Sequence, residues 1–149
     1  MSTTFTDVQG ADRQADDGQR QIVAFSVHEE RYALPITAVR EIIRYITPGA
    51  TGAAAGAVMG MICLRGHVLP VIDLGAQLGA PCEISENTKI LVIDSDGRSV
   101  GMIVDTVEEV MTISADHIET VETDGGISDQ IVKLDDRLVV LLDPERISA

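Results

Sequence analysis

The chain has 149 residues, with 24 acidic against 11 basic side chains and a formal charge of −13 at pH 7. A field of that sign repels nucleic-acid phosphates and anionic membrane surfaces, so neither is expected as a partner. Hydrophobic residues make up 45%, enough for a real core in one domain or two small halves, whereas 3% aromatics are too few for the stacking platforms of single-strand or sugar binders.

Residues 1–20 carry Asp7, Asp12, Asp16 and Asp17 and no apolar period, so they are expected to form a disordered acidic tail ahead of one domain over 21–149. With neither a basic n-region nor an apolar h-region at the N-terminus, a cytosolic location is expected. Segments 22–27 and 31–35 flank His28-Glu29-Glu30 and suit a hairpin. Ile36, Val39, Ile42, Ile43 and Ile46 have the spacing of a helix face, but β-branched residues dominate, so the stretch reads either as helix or as a helical start that ends in strand. Residues 47–57 are small and lack packing anchors, which predicts a mobile loop. Strands are expected at 58–64, 68–72 and 107–113. Segments 90–94 and 98–105 form a hairpin through Ser95-Asp96-Gly97, where Gly97 supplies the positive φ of a short loop. Segments 127–134 and 137–142 form another around Asp135-Asp136. The apolar runs last only a few residues, far short of the ~20 that a spanning helix needs, so no membrane insertion is expected.

Two stretches share a shape, Val68-Leu-Pro-Val-Ile-Asp73-Leu74 and Leu138-Val-Val-Leu-Leu-Asp143-Pro144. Each runs an apolar strand into an Asp able to cap a short helix, and Pro144 suits a first helical position. The repetition predicts two similar β subdomains.

Catalytic groups are not evident. His28, His67 and His117 stand in turn-like or polar surroundings without spaced partners, and no metal site follows. Cys63 and Cys82 form no CxxC pattern and read as reduced structural thiols. Asp73 and Asp105 follow apolar strands, but Val107 branches where an aspartic-protease loop wants glycine, so turn and capping duty is expected. Asp94 ends an apolar strand as a phosphoacceptor would, yet Ser95-Asp96-Gly97 turns straight back, and the two lysines, Lys89 and Lys133, are misplaced for that chemistry. The Gly-rich stretch 49–60 lacks the Gly-Lys-Ser/Thr ending of a phosphate loop. A binding module without cofactor is the expectation.

Two stretches sharpen it: Gly60-Met-Ile-Cys-Leu-Arg65-Gly66-His-Val-Leu-Pro70-Val-Ile-Asp73-Leu74 and Val100-Gly101-Met-Ile-Val-Asp105-Thr-Val107-Glu-Glu-Val110. With Tyr32-Ala-Leu-Pro35-Ile36, Val39-Arg-Glu41-Ile42 and the Leu-Leu-Asp ending, they resemble the CheW family of chemotaxis adaptors in order and spacing, from about Gln21 to Ile147. The resemblance implies an all-β fold of two small intertwined five-stranded β-barrel subdomains around a shared core, with short helices and no enzymatic activity. It implies bridging between the cytoplasmic tips of methyl-accepting chemoreceptors and the regulatory domain of a CheA-type histidine kinase, in cytoplasm at membrane-associated arrays. A divergent adaptor of another chemosensory pathway, or a regulatory-domain relative of the kinase, is the alternative. The length is expected to leave no room for a catalytic or receiver domain.

By the same resemblance Val39, Gly60, Arg65, Gly101, Val107 and Val110 fall at the receptor-binding groove, and Tyr45 and Gly66 at the kinase-binding face. Glycine inside a strand is costly unless a backbone comes close, so Gly60 and Gly101 mark either a partner helix or a bulge or barrel corner. The three valines read equally as groove or as core. Arg65 is expected to form a partly buried ion pair with Glu41, or else to be exposed. The chain departs from the family pattern at Cys63, where Asn is usual, at Gly75, where Arg is usual, and in the loop before Gly60, which lacks its large apolar residue.

Overall fold

Hairpins close wherever the residues between two apolar segments accept a positive φ, and the computed structural model shows this at three turns. It describes residues 18–49, 58–95, 97–121, 130–134 and 136–147. Strands β1 (Gln19–Val27) and β2 (Glu30–Pro35) meet through His28 (φ 54°) and Glu29 (φ 68°). Strands β4 (Val58–Leu64) and β5 (His67–Asp73) meet through Arg65 (φ 52°) and Gly66 (φ 81°). Both are two-residue loops whose left-handed backbone matches the strand twist. Strands β6 (Lys89–Ser95) and β7 (Arg98–Val104) join as expected, with Gly97 at φ 79°.

The ambiguous stretch starts as a 3-10 turn (Ile36–Ala38) and continues as β3 (Val39–Arg44). The remaining elements are β8 (Thr106–Ser114), β9 (Ile118–Thr120), β10 (Gln130–Leu134) and β11 (Arg137–Leu141), with the short helices α1 (Leu74–Gln77) and α2 (Pro144–Ile147). Both helices start where the repeated strand-Asp pattern places them. Asp73 Oδ1 accepts from the backbone N–H of Ala76, and Asp143 Oδ1 from that of Glu145.

The strands form two sheets, one ordered β8-β1-β2-β11-β10-β9 and the other β3-β6-β7-β5-β4. Each contains one parallel pairing between distant segments, β2 with β11 and β5 with β7. The six-stranded sheet therefore takes its strands from the beginning, middle and end of the chain, and the halves intertwine. Its sixth strand, the three-residue β9, carries too short a pattern to read in sequence. Residues Gly18 to Arg20, expected in the tail, form a turn and the start of β1, held by Gln19 and Arg20 opposite Ser114 and Ile113. The rest of the expected tail and residues 50–57 of the expected loop lie outside the described residues.

One apolar cluster joins the sheets: Phe25 and Leu34 from the six-stranded sheet pack with Val71, Ile90, Ile93, Met102 and Ile103 from the other. A second cluster, with Ile22, Ile113, Val132 and Val139, lies within the six-stranded sheet. Three edge strands are bulged. Glu108 of β8, Arg40 of β3 and Met59 of β4 each lack a partner in the register.

Candidate interaction site

Gly60 and Gly101 lie on one row that crosses the five-stranded sheet, Gly60 opposite Val71, Val71 beside Gly101, Gly101 opposite Val92, and Val92 opposite Glu41. Both glycines are buried. A Cβ on Gly60 would stand 2.6 Å from the Gly49 carbonyl oxygen and 2.8 Å from Pro48 Cβ. Gly49 is itself fastened there by paired backbone hydrogen bonds with Met61 of 2.8 and 3.0 Å. The close backbone expected at Gly60 therefore belongs to this chain and not to a partner helix, and the position also follows a bulge. A Cβ on Gly101 would meet Ile90 Cγ2 at 3.0 Å and Val71 Cγ2 at 3.3 Å, so core side chains fill that space too. Neither glycine offers surface to a partner; each shapes the sheet beneath it.

The valines divide differently. Val39 from β3 and Val107 from β8 are half-buried and pack on the cluster shared by the two sheets, whereas Val110 is 53% exposed. Val107 and Val110 are three apart, which in a regular strand puts them on opposite faces. The bulge at Glu108 changes that. Val107 pairs with Phe25, Glu109 with Ala24 and Val110 with Val23, so both valines share the face of Phe25 and Val23. The result is an apolar ramp that rises from the core at Val107 to solvent at Val110.

Arg65 and Glu41 are hydrogen-bonded through Nη1 and Oε2. The pair is unevenly buried: the tight turn lifts the Arg65 side chain off the sheet, 68% exposed, whereas the Glu41 side chain is 25% exposed. Arg65 raises its own affinity for a proton through that bond, and Glu41 is held below the ordinary carboxylate range by the same bond. Gly66 shares the turn and is exposed, and half-buried Tyr45 follows β3 against the shared core.

A knot of polar groups at the junction of the sheets was not legible in sequence. The His28 backbone N–H donates to Asp105 Oδ2 at 2.8 Å, and its Nε2 lies 2.6 Å from the Ala80 carbonyl oxygen. Because a carbonyl only accepts, Nε2 carries the proton there. These bonds hold a non-glycine residue in the left-handed region and tie the β1–β2 turn to the segment after α1. Nearby, buried Asp73 accepts from the Cys82 N–H, and Cys82 lies over Gly75, where a Cβ would stand 2.7 Å from both Ala80 O and Cys82 N. The unusual glycine at 75 thus has no room for a side chain. The partners are 77 and 52 residues from His28, a separation that no local pattern reveals.

The chemistry available is limited. Burial pushes the Cys82 thiol far up, with Asp73 adding to the effect, so it stays protonated and poorly nucleophilic. Cys63 is exposed on β4, and both cysteines are free. Asp94 is exposed and bonded to Ser99 Oγ at 3.3 Å, with Arg40 3.8 Å away, on the hairpin expected for it. Among the described residues no group of three His, Cys, Asp or Glu could hold a metal ion, and no helix is long and apolar enough to cross a membrane. What the surface offers is contact: an apolar ramp with a charged pair on the other sheet.

Comparison with known proteins agrees with that character. Residues 21–149 match the CheW-like domain family. A chemotaxis protein CheW of Bacillus subtilis strain 168 is 36% identical over 132 residues, 85% of this chain and 84% of that protein. A probable chemotaxis protein CheW of Rhizobium etli is 31% identical, covering 87% and 88%. Among solved structures, the scaffolding protein TtCheW of Thermoanaerobacter tengcongensis superposes with a TM-score of 0.78 at 31% identity, covering 85% of this chain and 90% of that one.

Proposed function

The chain belongs to the CheW family, and from that membership we propose that it is a non-enzymatic adaptor that couples chemoreceptors to a CheA-type histidine kinase. The observation that carries the reading is the ramp from Val107 to Val110, an apolar strip beside the shared core and suited to the apolar stripe of a receptor's helical hairpin. Val39 borders the same core from β3, and Gly60 and Gly101 set the sheet behind it. Arg65 and Glu41 add a charged pair on the five-stranded sheet. Tyr45 and Gly66 belong to the kinase-facing surface, so that receptor and kinase are held at once. The working location is the cytoplasm, at membrane-associated receptor arrays, and no cofactor takes part.

Co-sedimentation tests this directly. Receptor-containing membranes and the purified kinase from the source cell are mixed with the chain, and both partners should be required for full recruitment. Recruitment by kinase alone, with no receptor dependence, identifies a relative of the kinase's regulatory domain; recruitment by neither sinks the adaptor reading.

A further inference from the structure

Basic side chains are scarce in this chain. Of the 11 lysines and arginines, five (Arg40, Arg44, Arg65, Lys89 and Arg98) stand on the five-stranded sheet or in its β4–β5 turn. Three of them, Arg40, Arg65 and Arg98, line one open depression of about 600 Å³ together with His67, and Glu41 is the sole carboxylate among its described lining residues. Arg65 is taken by Glu41, and Arg40 donates to Ser99 Oγ at 2.9 Å with Asp94 3.8 Å away. Arg98 has no ion pair among the described residues.

This patch presents a sign opposite to that of the whole molecule, whose formal charge is −13. Its floor is apolar: Leu64 and Pro70 are half-buried there, and Val68 is 68% exposed. A bare anion has no use for such a floor, and a long polyanion meets repulsion beyond the patch. We propose that the depression docks an acidic peptide segment of a partner protein, with a carboxylate on Arg98 and Arg40 and an aliphatic side chain on Val68 and Pro70. Guanidinium groups suit this role because their planar fork matches a carboxylate. The surface lies on the five-stranded sheet, apart from the ramp of β8, and shares only Arg65 and Glu41 with the receptor reading.

The test therefore uses Arg98, which that reading does not. Fluorescence anisotropy follows a labelled peptide of repeated Glu-Ala-Leu, and its Gln-Ala-Leu counterpart, titrated with the full chain. The Glu peptide should bind, weaken as salt rises, and outbind the Gln peptide. Arg98→Glu should weaken it roughly tenfold or more, Arg98→Lys much less, and Arg20→Glu, the same charge change on the other sheet, very little. Equal binding of the two peptides, or equal harm from Arg20→Glu and Arg98→Glu, overturns the proposal. So does displacement of the peptide by inorganic phosphate at matched ionic strength, which would mark a small-anion site instead.

Discussion

Glu41 on β3 and Arg65 at the end of β4 belong to opposite edges of the five-stranded sheet, and still their side chains share a hydrogen bond. Strands in a flat sheet lie about 4.8 Å apart, so four intervals would separate those edges by roughly 19 Å, beyond the reach of the two side chains. The bond exists because the sheet rolls toward closure, as a small barrel must.

The exposure of Arg65 makes the pair a weak fastening and a pH-dependent one. The Arg65 hydrogen bond holds the folded carboxyl of Glu41 below its ordinary range against some desolvation. The contribution is therefore complete above the usual carboxylate pKa and is lost as pH falls through the lowered one. Urea melts of Glu41→Gln and the parent should differ slightly at neutral pH and converge in acid or high salt. Combined with Arg65→Ala, the double mutant should be no worse than the poorer single one; additive losses would show that the pair does not act in solution.

Val107 and Val110 should respond differently to the same change. Val110→Asp, at an exposed position, should leave stability within about 0.5 kcal/mol of the parent and still abolish receptor co-sedimentation. Val107→Asp should also cost roughly 1–3 kcal/mol, since it puts a charge against the shared core. A folded Val110→Asp that binds receptor as the parent does would place the receptor elsewhere.

Gly75→Ala should destabilise the fold by about 1–3 kcal/mol, because the added methyl meets two backbone atoms at 2.7 Å and Cys82 Sγ at 2.9 Å. An unchanged urea midpoint would mean that the segment over Gly75 yields freely.

Of the two cysteines, only Cys63 should take iodoacetamide under native conditions, giving one added label by intact mass and two in urea. The buried, protonated Cys82 thiol is the reason. Fast native labelling at both positions would contradict the packing around Asp73.

Local chemistry made the hairpins legible. Gly97 and the polar residues of the His28-Glu29-Glu30 and Asp135-Asp136 turns announce where strands reverse, and Asp73 and Asp143 announce the helix starts, because turns and caps are decided within a few residues; the Arg65-Gly66 reversal between β4 and β5 was not read that way. The Glu41–Arg65 pair came from the resemblance, since nothing local joins residues 24 apart. The bulge at Glu108, which puts Val107 and Val110 on one face, depends on register with β1 and leaves no mark in β8 itself. Gly60 and Gly101 were legible as close approaches, but which atoms approach them is a tertiary fact. The His28 knot has the same cause: a histidine in a turn looks idle until α1 and Asp105 arrive from elsewhere in the chain.

The irregular residues Arg40, Met59 and Glu108 also bear on how the protein lives with copies of itself. A sheet margin with regular free amides and carbonyls invites a foreign strand to zip on, the first step towards fibrils. Here the margins of β3, β4 and β8 each break step at an unpaired residue, Gly49 caps β4 at Met61, and β9 is three residues long. Added strands would lose register after a few bonds. Such a protein tolerates crowding on its own backbone terms, and leaves its side-chain surfaces to decide what it joins.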